Sequence, residues 1–398
     1  MTIYLDNNAT TRIDERVFGE MVPFLTAFYG NPSSMHSFGG QVAKAIQTAR
    51  EQVADLIGAL PSEVVFTSCG TEGNNTALRS ALATQGDRKH IITTQVEHAC
   101  VLNLCKTLEK QGYRVTYLSV DSKGMIDMME LEAALTGDTA IVSTMYANNE
   151  TGVIFPVEQI GALSKSYGAL FHVDAVQAVG KIPINLQNSS IDFLTLSGHK
   201  FHAPKGVGAL FVRKGVRLRP LLIGGHQERN RRGGTENVAG IVGLGQAALL
   251  AKQNLSQMPS VQALRDYLET SILRTIPDTV VNGQGSPRLP NTTNIGFKYI
   301  EGEAILLMLD REGICASSGS ACTSDSLEPS HVLRAMGLPY SVLHGSIRFS
   351  LSRFTTRAEI ERLLAVMPSV VSQLRSLSPF SGDDSDWLKE RTSALIPA

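Results

Sequence analysis

The chain has 398 residues, 36 basic against 37 acidic side chains, a formal net charge of −1 and 43% apolar residues. At roughly 100 to 200 residues per domain this is about two domains, long enough to bury a core without disulfide or metal staples, so disorder is excluded for most of it. A balance this close to neutral gives no global field for a polyanion, and no nucleic-acid partner is expected.

The first eleven residues hold Asp6, Asn7 and Asn8 and no basic segment leading into an apolar one, so no secretory signal is read and a cytoplasmic location is expected. Val42, Ile46, Ala49, Val53 and Ile57 recur at helical spacing and predict one buried stripe. Strands are predicted at Val64–Thr67, His90–Val96, Ala140–Met145, Leu170–Asp174 and Phe193–Ser197. Pro156 first and Gly168 last punctuate a further helix. The alternation over residues 42–250 predicts an α/β fold with a mostly parallel sheet covered by helices on both faces. Ile241–Ala251 is the longest apolar stretch, about half the ~20 residues that cross a bilayer, so no membrane span is expected. Beyond about residue 252 the pattern changes to a helix, an irregular stretch Val281–Thr293 and an apolar run, read as a smaller α+β domain. A Ser/Gly-rich segment, Ala316–Ser326, follows, and a Ser/Asp-rich region from Ser376 reads as a solvated tail.

Three strand ends could carry chemistry. Val64–Thr67 runs into Cys69, Gly70 and Thr71 before a helix, and a small-residue turn opening a helix offers backbone N–H groups to a phosphate. Read alone, it is more readily an ordinary strand-to-helix turn capped by Thr71. Asp174 ends an apolar strand where open α/β sheets hold ligands, with Gln177 following; a capping aspartate would look the same. Lys200 follows the strand Phe193–Ser197 between glycine and apolar residues, which suits a Schiff-base lysine, whereas Lys205 reads as a surface group. The five cysteines, Cys69, Cys100, Cys105, Cys315 and Cys322, are odd in number and include no CxxC, which predicts reduced thiols. The spacing of His98, Cys100 and Cys105 fits no common zinc site. Arg229, Arg231 and Arg232 read as an anion site or as ion pairs.

With these parts in order, the blocks YLDNNATT (4–11), GNPSSMHSF (30–38), FTSCGTE (66–72), NNETG (148–152), HVDAVQAVG (172–180), SGHK (197–200), GGHQERNRRGGTEN (224–237) and SSGSACTSDSLEPS (317–330) resemble the pyridoxal-phosphate-dependent cysteine desulfurases. GGHQER, the Cys-Gly-Thr turn and residues 301–352 are similar in particular to the nitrogen-fixation (NifS) group. Gly73, Asn74, Cys315 and Asp325 depart from the commonest pattern without removing a catalytic group.

The resemblance implies a fold-type-I architecture of the class V aminotransferases: a large domain with a seven-stranded, mainly parallel sheet, a smaller α+β domain, and a homodimer. The expected division is an N-terminal segment 1–14 packing with the small domain, a large cofactor-binding domain 15–252, a small domain 253–380 carrying the cysteine loop, and a tail 381–398 without an assigned role. It implies that Lys200 holds the cofactor, Asp174 pairs with its ring nitrogen, His98 stacks on the ring, and Asn149 and Gln177 contact the ring-oxygen side. Gly70, Thr71, Ser197 and His199 would hold the phosphate, and Thr235 would reach the phosphate of the neighbouring subunit. Arg348 would clamp the substrate carboxylate, a task suited to its parallel donors, although a structural ion pair is its default reading. Cys322 would accept sulfur from L-cysteine, leaving L-alanine and a persulfide for an Fe-S scaffold protein, most specifically one serving nitrogenase. No intrinsic metal is implied; Cys322 would at most contact a transient Fe-S cluster on the scaffold. The rival readings are a selenocysteine lyase or another class V enzyme, and a non-catalytic platform for scaffold proteins.

Overall fold

A computed structural model describes residues 2–318 and 329–378 of the chain. Its strands, in chain order, are β1 (Ile3–Tyr4), β2 (Val64–Thr67), β3 (His90–Thr94), β4 (Arg114–Leu118), β5 (Thr139–Met145), β6 (Leu170–Asp174), β7 (Phe193–Ser197), β8 (Gly208–Val212), β9 (Thr279–Val281), β10 (Thr292–Phe297), β11 (Ile314–Cys315), β12 (Ser317–Ser318) and β13 (Ser346–Ser350). Strands β2 to β8 form one seven-stranded sheet in the order β2-β8-β7-β6-β5-β3-β4. Five of them, β4, β3, β5, β6 and β7, run parallel, and β8 is antiparallel to both β7 and β2. Every residue of β2, β3, β5, β7 and β8 is buried, as expected of strands covered on both faces.

The helix Ser37–Ile57 buries all five residues of its predicted stripe and ends at Gly58, whose φ of 63° is the left-handed conformation that glycine adopts without strain. The helix Val157–Ser166 begins after Pro156, also as the sequence predicts. The prediction ran β3 on to Val96, but the strand stops at Thr94. There the Thr94 hydroxyl donates to the Glu97 carboxylate at 2.8 Å and accepts from the Val96 N–H at 3.3 Å, turning the chain out of the sheet. His98 therefore caps the helix Ala99–Glu109 and does not end a strand. The apolar stretch Ile241–Ala251 lies inside the helix Val238–Asn254. Among the described residues no helix is long and apolar enough to cross a membrane.

A second, antiparallel sheet has the order β12-β13-β10-β9. Its own apolar cluster takes Ile3 and Leu5 from the chain start and Val261, Leu268, Phe297, Leu309, Phe349 and Leu363 from beyond residue 252. The first strand joins this body directly, since β1 pairs in parallel with β11. The irregular stretch is shorter than predicted, because Val281 closes β9 and Thr292 opens β10. The tail from residue 379, with Trp387, lies outside the described residues.

Several histidines sit neutral inside this framework. His172 is fully buried between the hydroxyls of Ser143 at 2.8 Å and Thr195 at 3.0 Å, and burial pushes its pKa down to about 3. His202 is pushed down to about 4, first by burial and then by Arg353. An unfolded chain takes up these protons near pH 6.5 and the folded chain refuses them, so the stability is present above 6.5 and is lost as pH falls toward the folded values. Urea unfolding of the cofactor-free protein should give a free energy lower at pH 5.5 than at pH 7.5 by about 1.4 kcal/mol from His172 alone. Equal values at the two pH values would contradict its neutral burial.

Candidate active site

The C-terminal ends of β6 and β7 deliver Asp174 and Ser197 to one edge of the sheet, and a short turn, Gly198–Lys200, carries Lys200 to the same edge. Ligands of open parallel sheets bind at this edge. A cavity of about 330 Å³ opens there, within the range of small-molecule sites. Gly70, Thr71, His98, Asn149, Asp174, Gln177, Ser197, His199, Lys200 and Arg348 all line it. Of the predicted residues, Thr235 stands apart in a second cleft beside Ser68, Glu228 and Arg232, and Cys322 lies outside the described residues.

The helix Gly70–Thr84 starts at this cavity, and its cap is Cys69, not Thr71; the Cys69 side chain makes no capping hydrogen bond to the first-turn N–H groups. A Cβ on Gly70 would meet Val176 Cγ2 at 2.8 Å, and one on Gly73 would meet Thr195 Cγ2 at 2.7 Å, so this turn lies flush against the strand ends. Backbone donors at an uncapped helix start suit an anion. His199 shares the cavity, its Nδ1 at 3.1 Å from the Thr10 hydroxyl, and burial followed by the neighbouring Lys200 pushes it down to about 4.

Asp174 is held from two sides: the Val176 N–H donates to Oδ1 at 3.0 Å and the Asn74 amide to Oδ2 at 2.6 Å. Asn74 is a cavity residue that sequence reasoning noted only as a departure, and its Oδ1 is buried without a partner. A hydrogen bond to a charged group contributes about 1.5–3 kcal/mol. Asn74→Leu should therefore weaken cofactor uptake by the cofactor-free protein about 10- to 100-fold in an absorbance titration. Unchanged affinity would show that Asp174 needs no such support.

His98 Nδ1 accepts the Cys100 backbone N–H at 3.2 Å as a helix cap, which places the proton of the neutral ring on Nε2. Burial lowers the His98 pKa, Asp174 opposes that, and Lys200 adds to it. The Cys100 thiol lies 3.1 Å from the same nitrogen, and burial pushes it up to about 12, which keeps it protonated and inert. Cys105 is buried in another apolar cluster, away from the cavity-lining Cys100.

Lys200 Nζ donates to the carbonyls of Asn8 at 2.6 Å and Ala9 at 2.9 Å, so the N-terminal segment closes one wall of the cavity. Arg348, on β13, donates to Asp6 Oδ1 at 2.8 Å and to the Asn149 carbonyl at 3.0 Å, and its Nε is buried without a partner. The ion pair that is the default reading of Arg348 is thus present, and the same guanidinium faces the cavity. Two of the three clustered arginines are occupied by the chain itself, Arg231 on the carbonyls of Ser62 and Val64 and Arg232 on Glu72. The buried pair Arg50–Glu228, with both guanidinium–carboxylate bonds at 2.7 Å, fastens this segment to β2, where Glu228 also accepts the Phe66 N–H.

A helix start without a side-chain cap, a carboxylate and an amine gather at the carboxyl edge of a mainly parallel seven-stranded sheet, the architecture of fold-type-I pyridoxal-phosphate enzymes. The family model for aminotransferase class-V matches residues 3–363. The chain belongs to this class-V aminotransferase family, whose cofactor is pyridoxal 5'-phosphate. It is 70% identical over 393 residues to cysteine desulfurase 2 of Trichormus variabilis, covering 99% of both chains. To cysteine desulfurase NifS of Azotobacter vinelandii it is 57% identical over 380 residues, 95% of this chain and 94% of that one. Among solved structures, a NifS-like protein superposes with a TM-score of 0.88 at 41% identity, covering 94% of this chain and all of the other. Another, described as SspA in complex with cysteine, has a TM-score of 0.79 at 35% identity over 89% of this chain and all of the other.

Proposed function

We propose that the protein is a cysteine desulfurase that takes sulfur from L-cysteine, releases L-alanine and supplies the sulfur for Fe-S cluster assembly. The observation that carries this reading is that one cavity gathers Lys200, Asp174 and Arg348; relatives named cysteine desulfurase support it. Bound pyridoxal phosphate supplies an electron-withdrawing ring that stabilises charge at the substrate Cα. Lys200 holds the cofactor and, once released, takes the Cα proton. Asp174, fixed by Asn74 and Val176, keeps a proton on the ring nitrogen. Gly70, Thr71, Ser197 and His199 hold the phosphate, Asn149 and Gln177 face the ring oxygen, and Arg348 binds the substrate carboxylate. With Nδ1 engaged as a cap, His98 would stack on the cofactor ring and offer a donor at Nε2.

Cys322 would attack the substrate sulfur as a thiolate: an S–S bond forms as the C–S bond breaks, the C–S electron pair stays on the substrate carbon and is protonated there, and the products are alanine and a persulfide on the enzyme. The acceptor is an Fe-S scaffold protein, with nitrogenase assembly as the specific pathway, and the reaction is cytoplasmic. In a homodimer, Thr235 reaches the phosphate of the neighbouring subunit, which accounts for its place in a separate cleft of the single chain. Incubation with L-cysteine should release alanine and leave a trappable persulfide on Cys322. Cys322→Ser should keep the visible cofactor band and lose turnover; retained turnover would remove Cys322 from the mechanism.

A further inference from the structure

Lys181 is a lysine buried at 7% exposure, with no part in the chemistry so far. Its Nζ donates to Gln177 Oε1 at 2.8 Å and to Asn8 Oδ1 at 3.1 Å. Those two acceptors match the two N–H donors of a neutral amine, and burial, with Lys200 and Arg348 nearby, pushes its pKa well below the ordinary lysine value. The Gln177 amide is thereby held by its oxygen. Its other end, Nε2, donates to the Asn8 carbonyl at 3.0 Å, the same oxygen that Lys200 Nζ reaches at 2.6 Å.

Asn8 cannot turn to suit a flipped amide. Its Oδ1 also accepts from Asn291 at 3.0 Å, and its Nδ2 donates to Thr292 Oγ1 at 2.8 Å and to the Asn149 carbonyl at 3.1 Å. Each donor in this frame meets an acceptor, and reversing any one amide would set like groups against each other. A glutamine facing the cofactor can present either end, and only its N–H end complements an electron-rich ring oxygen.

We propose that Lys181 is a positioning residue that holds the Gln177 amide by its oxygen and so presents its N–H group to the ring oxygen of the cofactor. The inference rests on the cofactor reading given above for this cavity. It places a buried lysine one step behind the contact, acting through Gln177.

The test is a double-mutant cycle on the holoprotein with Lys181→Met, Gln177→Leu and the pair together, reading the visible absorption band and the rate of cofactor loss on dialysis. Lys181→Met alone should shift the band and speed cofactor loss about tenfold, the worth of one hydrogen bond. In the Gln177→Leu background the same change should move neither readout. A native band and native retention in Lys181→Met would overturn the inference, and so would equal effects in both backgrounds, which mark a structural lysine. If Lys181→Met does not fold, a crystal structure of the wild-type holoprotein decides: Gln177 Oε1 on Lys181 Nζ is expected, and an amide turned away from Lys181 overturns the proposal. A wild-type protein that takes up no cofactor would defeat the reading of the cavity itself, a result distinct from either of these.

Discussion

Lys200→Ala should fold, fail to retain the cofactor's visible band, and lower alanine formation from L-cysteine by about 10⁴-fold, the upper end of what a positioned proton-transfer group contributes. The structure explains why so little else would change. Lys200 sits on a short turn after β7, and its amine is held by two backbone carbonyls, Asn8 and Ala9, which water can solvate once the cavity is vacated. Among the described residues no neighbouring amine can replace it. Lys181 is committed to Gln177 and Asn8, and Lys205, exposed, is not among the residues that line the cavity. Turnover within tenfold of the wild type would mean that a different group takes the Cα proton.

Arg348→Lys should raise the KM for L-cysteine about 10- to 100-fold with a smaller change in kcat, because a lysine offers one point charge where arginine offers two parallel donors. Lysine also retains a cation for Asp6, so the pair on β13 is not simply broken. That matters because removing one partner of a buried ion pair costs about 3–5 kcal/mol and would confuse loss of binding with loss of folding. Cysteamine, which has no carboxylate, provides the control. The wild-type protein should prefer L-cysteine over cysteamine, and the variant should lose most of that preference. If KM and preference both survive, Arg348 serves only its contact with Asp6.

The strand ends that position the site were legible because buried parallel strands are short apolar runs closed by a polar residue. Leu170–Asp174 and Phe193–Ser197 match the structure residue for residue, and Asp174 and Lys200 follow from them. Two strands of the same sheet were not read. Edge strand β4 is only partly buried, so its pattern is mixed, and β8 is a five-residue run behind a Pro/Gly segment. Contacts across the chain were the least legible part. Asn8 meets Lys200 across 192 residues and Asn149 across 141, separations that no local spacing encodes. Asn74 could have been found: it lies four residues after Gly70 on the same helix, hence on the face that fronts the cavity. The roles of Arg231 and Arg232 depended on carbonyls and a carboxylate more than 150 positions away, and that distance left an anion site open in the sequence.

The central claim, that Lys200 alone binds the cofactor covalently, is tested most directly by borohydride reduction of the holoprotein followed by peptide mass analysis. One pyridoxyl-phosphate adduct on the peptide containing Lys200 is the predicted result. An adduct on Lys181 or Lys205, or no adduct on any lysine of a fully loaded protein, would contradict it.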